Sequence, residues 1–194
     1  LLTPIAIRDF HPIPVLVNLS LYMIVGLIKL GDPLVKHYAV IEIPKNFPRM
    51  VSLESGKEYS FIFLEDVISL FAKELFTGYE IVEQGLMRLT RAAEMTLDEE
   101  KDEDFAKIMT EALRSRYHSR IIRLEVQAPQ AMRDFMKQKL EIQDYQIIEI
   151  PNWFDLKTVS QLAFQPIFEE LKRPAWVPCP SPDFEQTEDM WELL

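Results

Sequence analysis

The sequence has a single cysteine, Cys179, and only five glycines in 194 residues. One cysteine excludes an internal disulfide framework and is typical of a reducing compartment. The glycines form neither a phosphate-binding loop nor a dinucleotide fingerprint, and no G-x-S-x-G elbow is present. The three histidines and the cysteine lack the spacing of metal ligands. We therefore expect no complete active site, no metal and no cofactor in this chain.

Long apolar runs are also absent. Residues 15–30 form the one stretch that suggests a membrane, but it is short and contains Asn18, Ser20, Gly26 and Lys29. The basic start and small-residue cleavage site of a signal peptide are missing. A buried hairpin strand is the better interpretation, and we expect a cytoplasmic protein without a membrane span.

The net charge of −10 comes from two acidic segments. Residues 98–104 hold six acidic residues and one basic residue, and residues 183–194 hold five acidic residues and no basic one. The rest of the chain has 20 acidic and 20 basic residues. The overall acidity argues against nucleic-acid binding, but it leaves room for a local basic surface.

The hydrophobic pattern predicts an α+β fold with a mixed sheet. Two N-terminal hairpins are expected, at 19–30 with 35–43 and at 49–53 with 58–63, the first joined by a turn at 31–33. Alternating helices and strands follow, with helices packed on the sheet and some crossovers joining parallel strands. The predicted elements are a helix from Leu64 to Leu75 that ends at Gly78, a strand at 79–91, a helix from Thr96 to Leu113, a strand at 121–126, a helix from Pro129 to Leu140, a strand at 145–150, and helices at 155–164 and 167–171.

Proline usage divides the chain into three parts. Residues 1–18 contain three prolines and are expected to be irregular, and residues 19–172 are expected to form the domain. Residues 173–194 contain four prolines and the whole second acidic segment, so they are interpreted as a linker.

Several short motifs follow one another in an order that resembles the bacterial polyphosphate kinases, from the point where their second domain begins. The motifs are L-T-P at 2–4, H-P-I-P at 11–14, N-L-S-L at 18–21, A-V-I-E-I-P at 39–44, F-P-R at 47–49, F-L-E-D-V-I at 63–68, L-F-T-G-Y-E at 75–80, M-R-L-T-R-A-A-E at 87–94 and R-S-R-Y-H-S-R-I-I-R-L-E-V at 114–126. Each motif alone is weak, but their order and spacing across almost the whole chain make the resemblance specific.

The resemblance implies the middle, or head, domain of a polyphosphate kinase. That family reversibly transfers the terminal phosphate of ATP to polyphosphate through a phosphorylated histidine, with magnesium. Those groups belong to a C-terminal catalytic half, so no catalytic residue is expected in this chain. The resemblance also implies flanking domains before residue 19 and after residue 172, a homodimer contact, a share in the wall of a polyphosphate tunnel, and no activity of this domain alone.

Arginines are the residues that could line such a tunnel, because guanidinium groups bind phosphate through a fork of donors. The candidates for polyphosphate contact are Arg49, Arg88, Arg91 and Arg123.

The alternative interpretation is structural, with these arginines paired to Glu65, Glu94 or Glu125. Strand alternation predicts that Arg88 and Arg91 face opposite sides of the sheet unless a bulge intervenes.

Three positions depart from the family pattern. Ala92 stands where the family usually has Asp, which removes one potential partner of Arg91. Tyr22 replaces an Asn, and Ile13 replaces a Phe and is expected to pack. His11 is interpreted as a hydrogen-bonded anchor of its loop.

Two other classes of function stay open. The chain could be a stand-alone interaction or scaffold module that keeps only the fold, or it could bind a small regulatory ligand, for which only the arginines argue. Where the flanking domains implied by the resemblance would pack, exposed apolar surface is expected near residues 4–14 and around Trp176.

Overall fold

The computed structural model describes residues 2–8, 11, 13–53, 59–92, 119–151 and 156–179. The chain divides into two compact units, Leu1–Thr158 and Val159–Leu194. This division lies before the boundary at 172 that proline usage suggested. In the second unit, the described residues form two 3₁₀ segments, Ser160–Phe164 and Pro166–Leu171.

The first unit is an α+β domain, as predicted. The strands are β1 Pro4–Ile7, β2 Leu21–Lys29, β3 Asp32–Glu42, β4 Met50–Leu53, β5 Ser60–Phe63, β6 Tyr79–Arg91, β7 Ile121–Gln127 and β8 Ile147–Glu149. The helices are α1 Leu64–Phe71, continued by the 3₁₀ segment Ala72–Leu75, then α2 Gln130–Leu140, the 3₁₀ segment Asp144–Gln146, and α3 Leu156–Val159, which crosses the unit boundary.

Within the described residues, six strands form one mixed sheet in the order β1-β3-β2-β6-β7-β8, and β4 pairs with β5 separately. Both predicted hairpins are confirmed. The β2–β3 turn uses Gly31 at φ +92°, and Gly78 at φ +84° ends the α1 segment before β6. Strands β7 and β8 are parallel and are joined through α2, which confirms the predicted crossover.

One sheet surface, called here the first face, packs against α2. The helix places Met132, Met136 and Leu140 on this face at helical spacing. The strands supply every second residue, as alternation requires. These are Tyr22, Ile24, Tyr38, Val40, Met87, Leu89, Leu124 and Val126.

The opposite surface, called the second face, packs against α1 and its 3₁₀ extension through Ile68 and Phe76. Here the intervening strand residues are buried, namely Leu21, Met23, Val25, Leu27, Ala39 and Ile41. Both faces of β2 are therefore covered, which explains why its sequence is apolar throughout and resembles part of a membrane span. None of the helices in the described ranges combines the length and apolarity that crossing a bilayer needs.

The N-terminal segment differs from the irregular structure expected for 1–18. Residues Pro4–Ile7 form β1, which pairs with β3 at the edge of the sheet, whereas 13–18 are irregular as expected. The predicted helix from Thr96 to Leu113 lies outside the described residues. Ile5 and Trp176 are exposed, at 39% and 88% of their surface, in agreement with the expected apolar surface near residues 4–14 and around Trp176.

Candidate functional site

Two of the four candidate arginines lie together on β6 and β7. Arg88 is directly opposite Glu125 across the ladder, and its Nε donates to Glu125 Oε2 at 2.6 Å. Arg123 Nη2 lies 3.1 Å from the other oxygen, Oε1. One carboxylate is therefore shared by two guanidinium groups. We call these three residues the β6–β7 arginine cluster.

The formal charges of the β6–β7 arginine cluster, two arginines and one glutamate, sum to +1. Glu125 is buried, whereas the side chain of Arg123 is 46% exposed. A guanidinium has five N–H donors, so a single contact to Glu125 leaves Arg123 with donors directed to solvent. This geometry suits a multiply charged anion, because a buried carboxylate holds the arginines in place while Arg123 reaches outward.

Arg91 lies on the other side of the sheet from Arg88. Its Nη1 donates to the carbonyl of Ser119 at 2.7 Å and its Nε to the carbonyl of Leu16 at 3.4 Å. Burial lowers the pKa of Arg91, and nearby Tyr22 partly opposes this shift. Arg91 therefore fastens the segment before β2 to the residues before β7 through backbone oxygens.

The β6–β7 ladder explains how the arginines separate. Thr90 pairs with Arg123, but Arg91 pairs with Ile121, so the extra residue Ile122 lies on β7. Alternation along β6 is therefore preserved, and Arg88 and Arg91 keep opposite faces. Ala92 donates its N–H to the carbonyl of Arg120 at 2.8 Å. Arg91, next to Ala92, has the backbone carbonyls of Leu16 and Ser119 as its partners.

Arg49 lies beneath the start of α1. Its Nε donates to both oxygens of Glu65, at 3.1 and 2.9 Å, and its Nη1 donates to Thr158 Oγ1 at 3.4 Å. The guanidinium also lies 5.8 Å from the centre of the Phe63 ring. Arg49 is only 16% exposed and Glu65 is 6% exposed as side chains, so this is a buried structural pair.

The departures from the family pattern have clear local roles. The Tyr22 hydroxyl accepts the N–H of Val17 at 2.8 Å, and burial raises the pKa of this phenol. Ile13 packs against the first-face core, as predicted. His11 was expected to anchor its loop through a hydrogen bond. Its backbone N–H donates to the carbonyl of Arg8 at 3.4 Å, whereas the residue is exposed and lines a cleft.

Sequence reasoning missed that cleft, which has a volume of about 630 Å³. It lies where β1 ends and β3 continues as an edge strand that pairs with β2. Its basic residues come from two separate parts of the chain and are Arg8, His11, Lys36 and His37. The pairs of basic residues near 8–11 and 36–37 were a visible signal, but only the β1–β3 pairing brings them together. Among the described residues, no group of three or more His, Cys, Asp or Glu is arranged to hold a metal ion.

Comparison with known proteins assigns this fold to a class. A family model described as the polyphosphate kinase middle domain matches residues 1–162. The chain is 32% identical to a polyphosphate kinase of Bacillus cereus and 31% identical to one of Mycobacterium avium, with 98% and 96% of this chain covered. The chain therefore belongs to the polyphosphate kinase middle domain family.

A solved structure agrees with this fold. The crystal structure of polyphosphate kinase from Porphyromonas gingivalis matches 98% of this chain with a TM-score of 0.67 at 20% identity. The chain covers 27% of that protein and 28% of the Bacillus cereus relative. It thus corresponds to about a quarter of the length of the proteins it resembles.

Proposed function

We propose that this chain is the middle domain of an enzyme that reversibly transfers the terminal phosphate of ATP to polyphosphate. The observation that carries the proposal is the family match over residues 1–162. It is supported by the relatives named polyphosphate kinase, and this chain covers 28% of the length of the Bacillus cereus one. In the whole enzyme, ATP, magnesium and a phosphorylated histidine act in other domains. This domain alone is non-catalytic.

The role of the domain in that enzyme is architectural. It contributes to a homodimer contact and to the wall of a polyphosphate tunnel, in a cytoplasmic protein. Of the four candidate arginines, Arg123 is the best placed for polyphosphate, because its side chain is 46% exposed, whereas Arg88 is bonded to Glu125, Arg49 is paired inside the fold and Arg91 binds backbone carbonyls. A tunnel needs contacts that hold a polyanion without trapping it. An arginine that already contacts the Glu125 carboxylate satisfies that requirement.

Calorimetry of polyphosphate binding to the 194-residue chain over a salt series tests the tunnel role, with an ATP turnover assay alongside. We expect weak binding that falls steeply as salt rises, and no turnover. Arg123→Gln should weaken binding. The matched control is Lys45→Gln, which removes one exposed positive charge elsewhere on the surface.

Three outcomes would revise the proposal. Absence of binding at low salt would mean that the arginines are structural and that the domain acts as a spacer and dimer contact. Turnover by the chain alone would contradict its non-catalytic assignment. Sedimentation analysis that finds only monomers at high concentration would remove the dimer contact from this part of the enzyme.

A further inference from the structure

The cleft beside β1 is a second basic site, far from the β6–β7 arginine cluster. Leu21 pairs with Arg88 at one end of the β2–β6 ladder, and Lys29 pairs with Tyr79 at the other. Tyr79 lines the cleft, and the nine residue steps from Tyr79 to Arg88 correspond to about 30 Å of strand. The two basic sites can therefore be tested separately.

The β1–β3 register determines which residues meet in the cleft. The paired positions end at Ile7 and Tyr38, so the next residues along the two strands, Arg8 and His37, lie at the same point of the edge. The backbone at Arg8 is held by two bonds, since its carbonyl accepts from Lys139 Nζ at 2.8 Å and from the His11 N–H at 3.4 Å. The basic rim of the cleft is thus attached to fixed backbone.

The charges around the cleft favour an anion. Its described lining residues include four basic side chains and no Asp or Glu, although the chain as a whole has a net charge of −10. Lys36 is already paired with Glu83 at 3.1 Å, and Glu83 also accepts from the Tyr38 hydroxyl. In the described part of the chain, no carboxylate lies within ion-pair distance of the Arg8 guanidinium. Among the described residues, Arg8 is therefore the permanently charged side chain of the rim that has no carboxylate partner.

The floor of the cleft is apolar and partly aromatic. Leu27, Ala39 and Phe76 line it, and the Tyr79 ring stands edge-on to His37 with 6.0 Å between ring centres. A volume of about 630 Å³ lies within the range of small-molecule sites and exceeds what a lone phosphate ion requires. A ligand that fits both surfaces has an anionic end and an uncharged body.

We propose that this cleft binds a small organic phosphate, with the phosphate at Arg8, His11 and His37 and the uncharged body over Leu27, Phe76 and Tyr79. The inference goes beyond the proposed function and does not depend on it, because the residues and the end of the sheet are different.

The test uses the 194-residue chain and AMP as the probe, with adenosine and orthophosphate as partial ligands. We expect AMP to bind at one site by calorimetry and to shift the imidazole NMR signals of His11 and His37. Adenosine lacks the phosphate and orthophosphate lacks the body, so each should bind at least tenfold more weakly. Arg8→Gln should weaken AMP binding at least fivefold, and Lys45→Gln should leave it unchanged.

The controls separate this site from the tunnel candidates. Arg123→Gln should not change AMP binding, and Arg8→Gln should not change polyphosphate binding. If Arg8→Gln disturbs the fold by circular dichroism, His37→Gln replaces it as the deciding variant. No AMP binding, equal binding of AMP and adenosine, or AMP binding unaffected by the rim variants would overturn the proposal.

Discussion

The Arg49–Glu65 pair and the β6–β7 arginine cluster contain the same chemical groups in different proportions. Beneath α1, one arginine meets one buried carboxylate through three hydrogen bonds, and Thr158 is its second partner. On β6 and β7, two arginines share the single carboxylate of Glu125. The formal charges of the first pair cancel and both side chains are enclosed, whereas the formal charges of the second set sum to +1 and the Arg123 side chain is exposed.

The groups around each arginine therefore indicate its role. A neutral, enclosed ion pair resists removal of either partner, because the remaining charge stays buried. A shared carboxylate positions cations that can still interact outside the domain. Substitutions should therefore separate the two regions: variants of the enclosed pair should reduce stability, and variants of the cluster should reduce anion binding.

The largest effect on stability is expected from Arg49→Ala, which leaves the Glu65 carboxylate buried without its fork. The free energy of unfolding should fall by about 3 kcal/mol. Urea denaturation of the chain measures this change, and the double variant Arg49→Met, Glu65→Leu should recover part of the loss because no charge is left behind. A loss below about 0.5 kcal/mol would place this pair with ordinary surface ion pairs.

A smaller loss is expected from Arg91→Ala. The carbonyls of Leu16 and Ser119 would lose their donor, at a cost of about 1–2 kcal/mol. Arg91→Lys keeps the charge but not the fork, so it should recover little of this stability. Polyphosphate affinity should not change in either variant. Weaker polyphosphate binding by well-folded Arg91→Ala would show that Arg91 belongs with the cluster.

The first face also contains a group whose ionisation should affect stability. Burial, together with the hydrogen bond and charge of Glu83, raises the pKa of Tyr38 from 10.0 to about 12. Because the folded state favours the neutral phenol, its contribution is complete below pH 10 and is lost as the pH rises towards 12. Between pH 10 and pH 12, the melting temperature of the Tyr38→Phe variant should therefore fall less than that of the wild type. Parallel losses would contradict the raised pKa.

Much of the fold could be predicted because local signals and tertiary structure agree. Strand β6 has the predicted bounds, since alternation is clear and Gly78 supplies the turn before it. Strand β1 was missed because it is a four-residue edge strand whose partners come from β3, more than thirty residues away. The predicted strand at 145–150 begins at Ile147, because Gln143 and Gln146 cap a 3₁₀ turn first.

The candidate site was harder to predict, because its geometry depends on register. Glu65 and Glu125 were among the possible partners of the arginines, and the structure uses both. The sequence did not show which arginine meets which acid, since only the β6–β7 register places Arg88 opposite Glu125 and Arg123 opposite Thr90. The cleft at Arg8 and His37 depends on register in the same way.

The smallest effect on stability and the clearest effect on binding are expected from Arg123→Gln. Its side chain is 46% exposed, so the free energy of unfolding should change by less than about 0.5 kcal/mol. If the cluster contacts polyphosphate, the dependence of log affinity on log salt should become shallower by about 1. Glu125→Gln provides the opposite change, because it removes the shared carboxylate and should strengthen binding. An unchanged salt dependence in both variants would show that the cluster, like the Arg49–Glu65 pair, serves the fold alone.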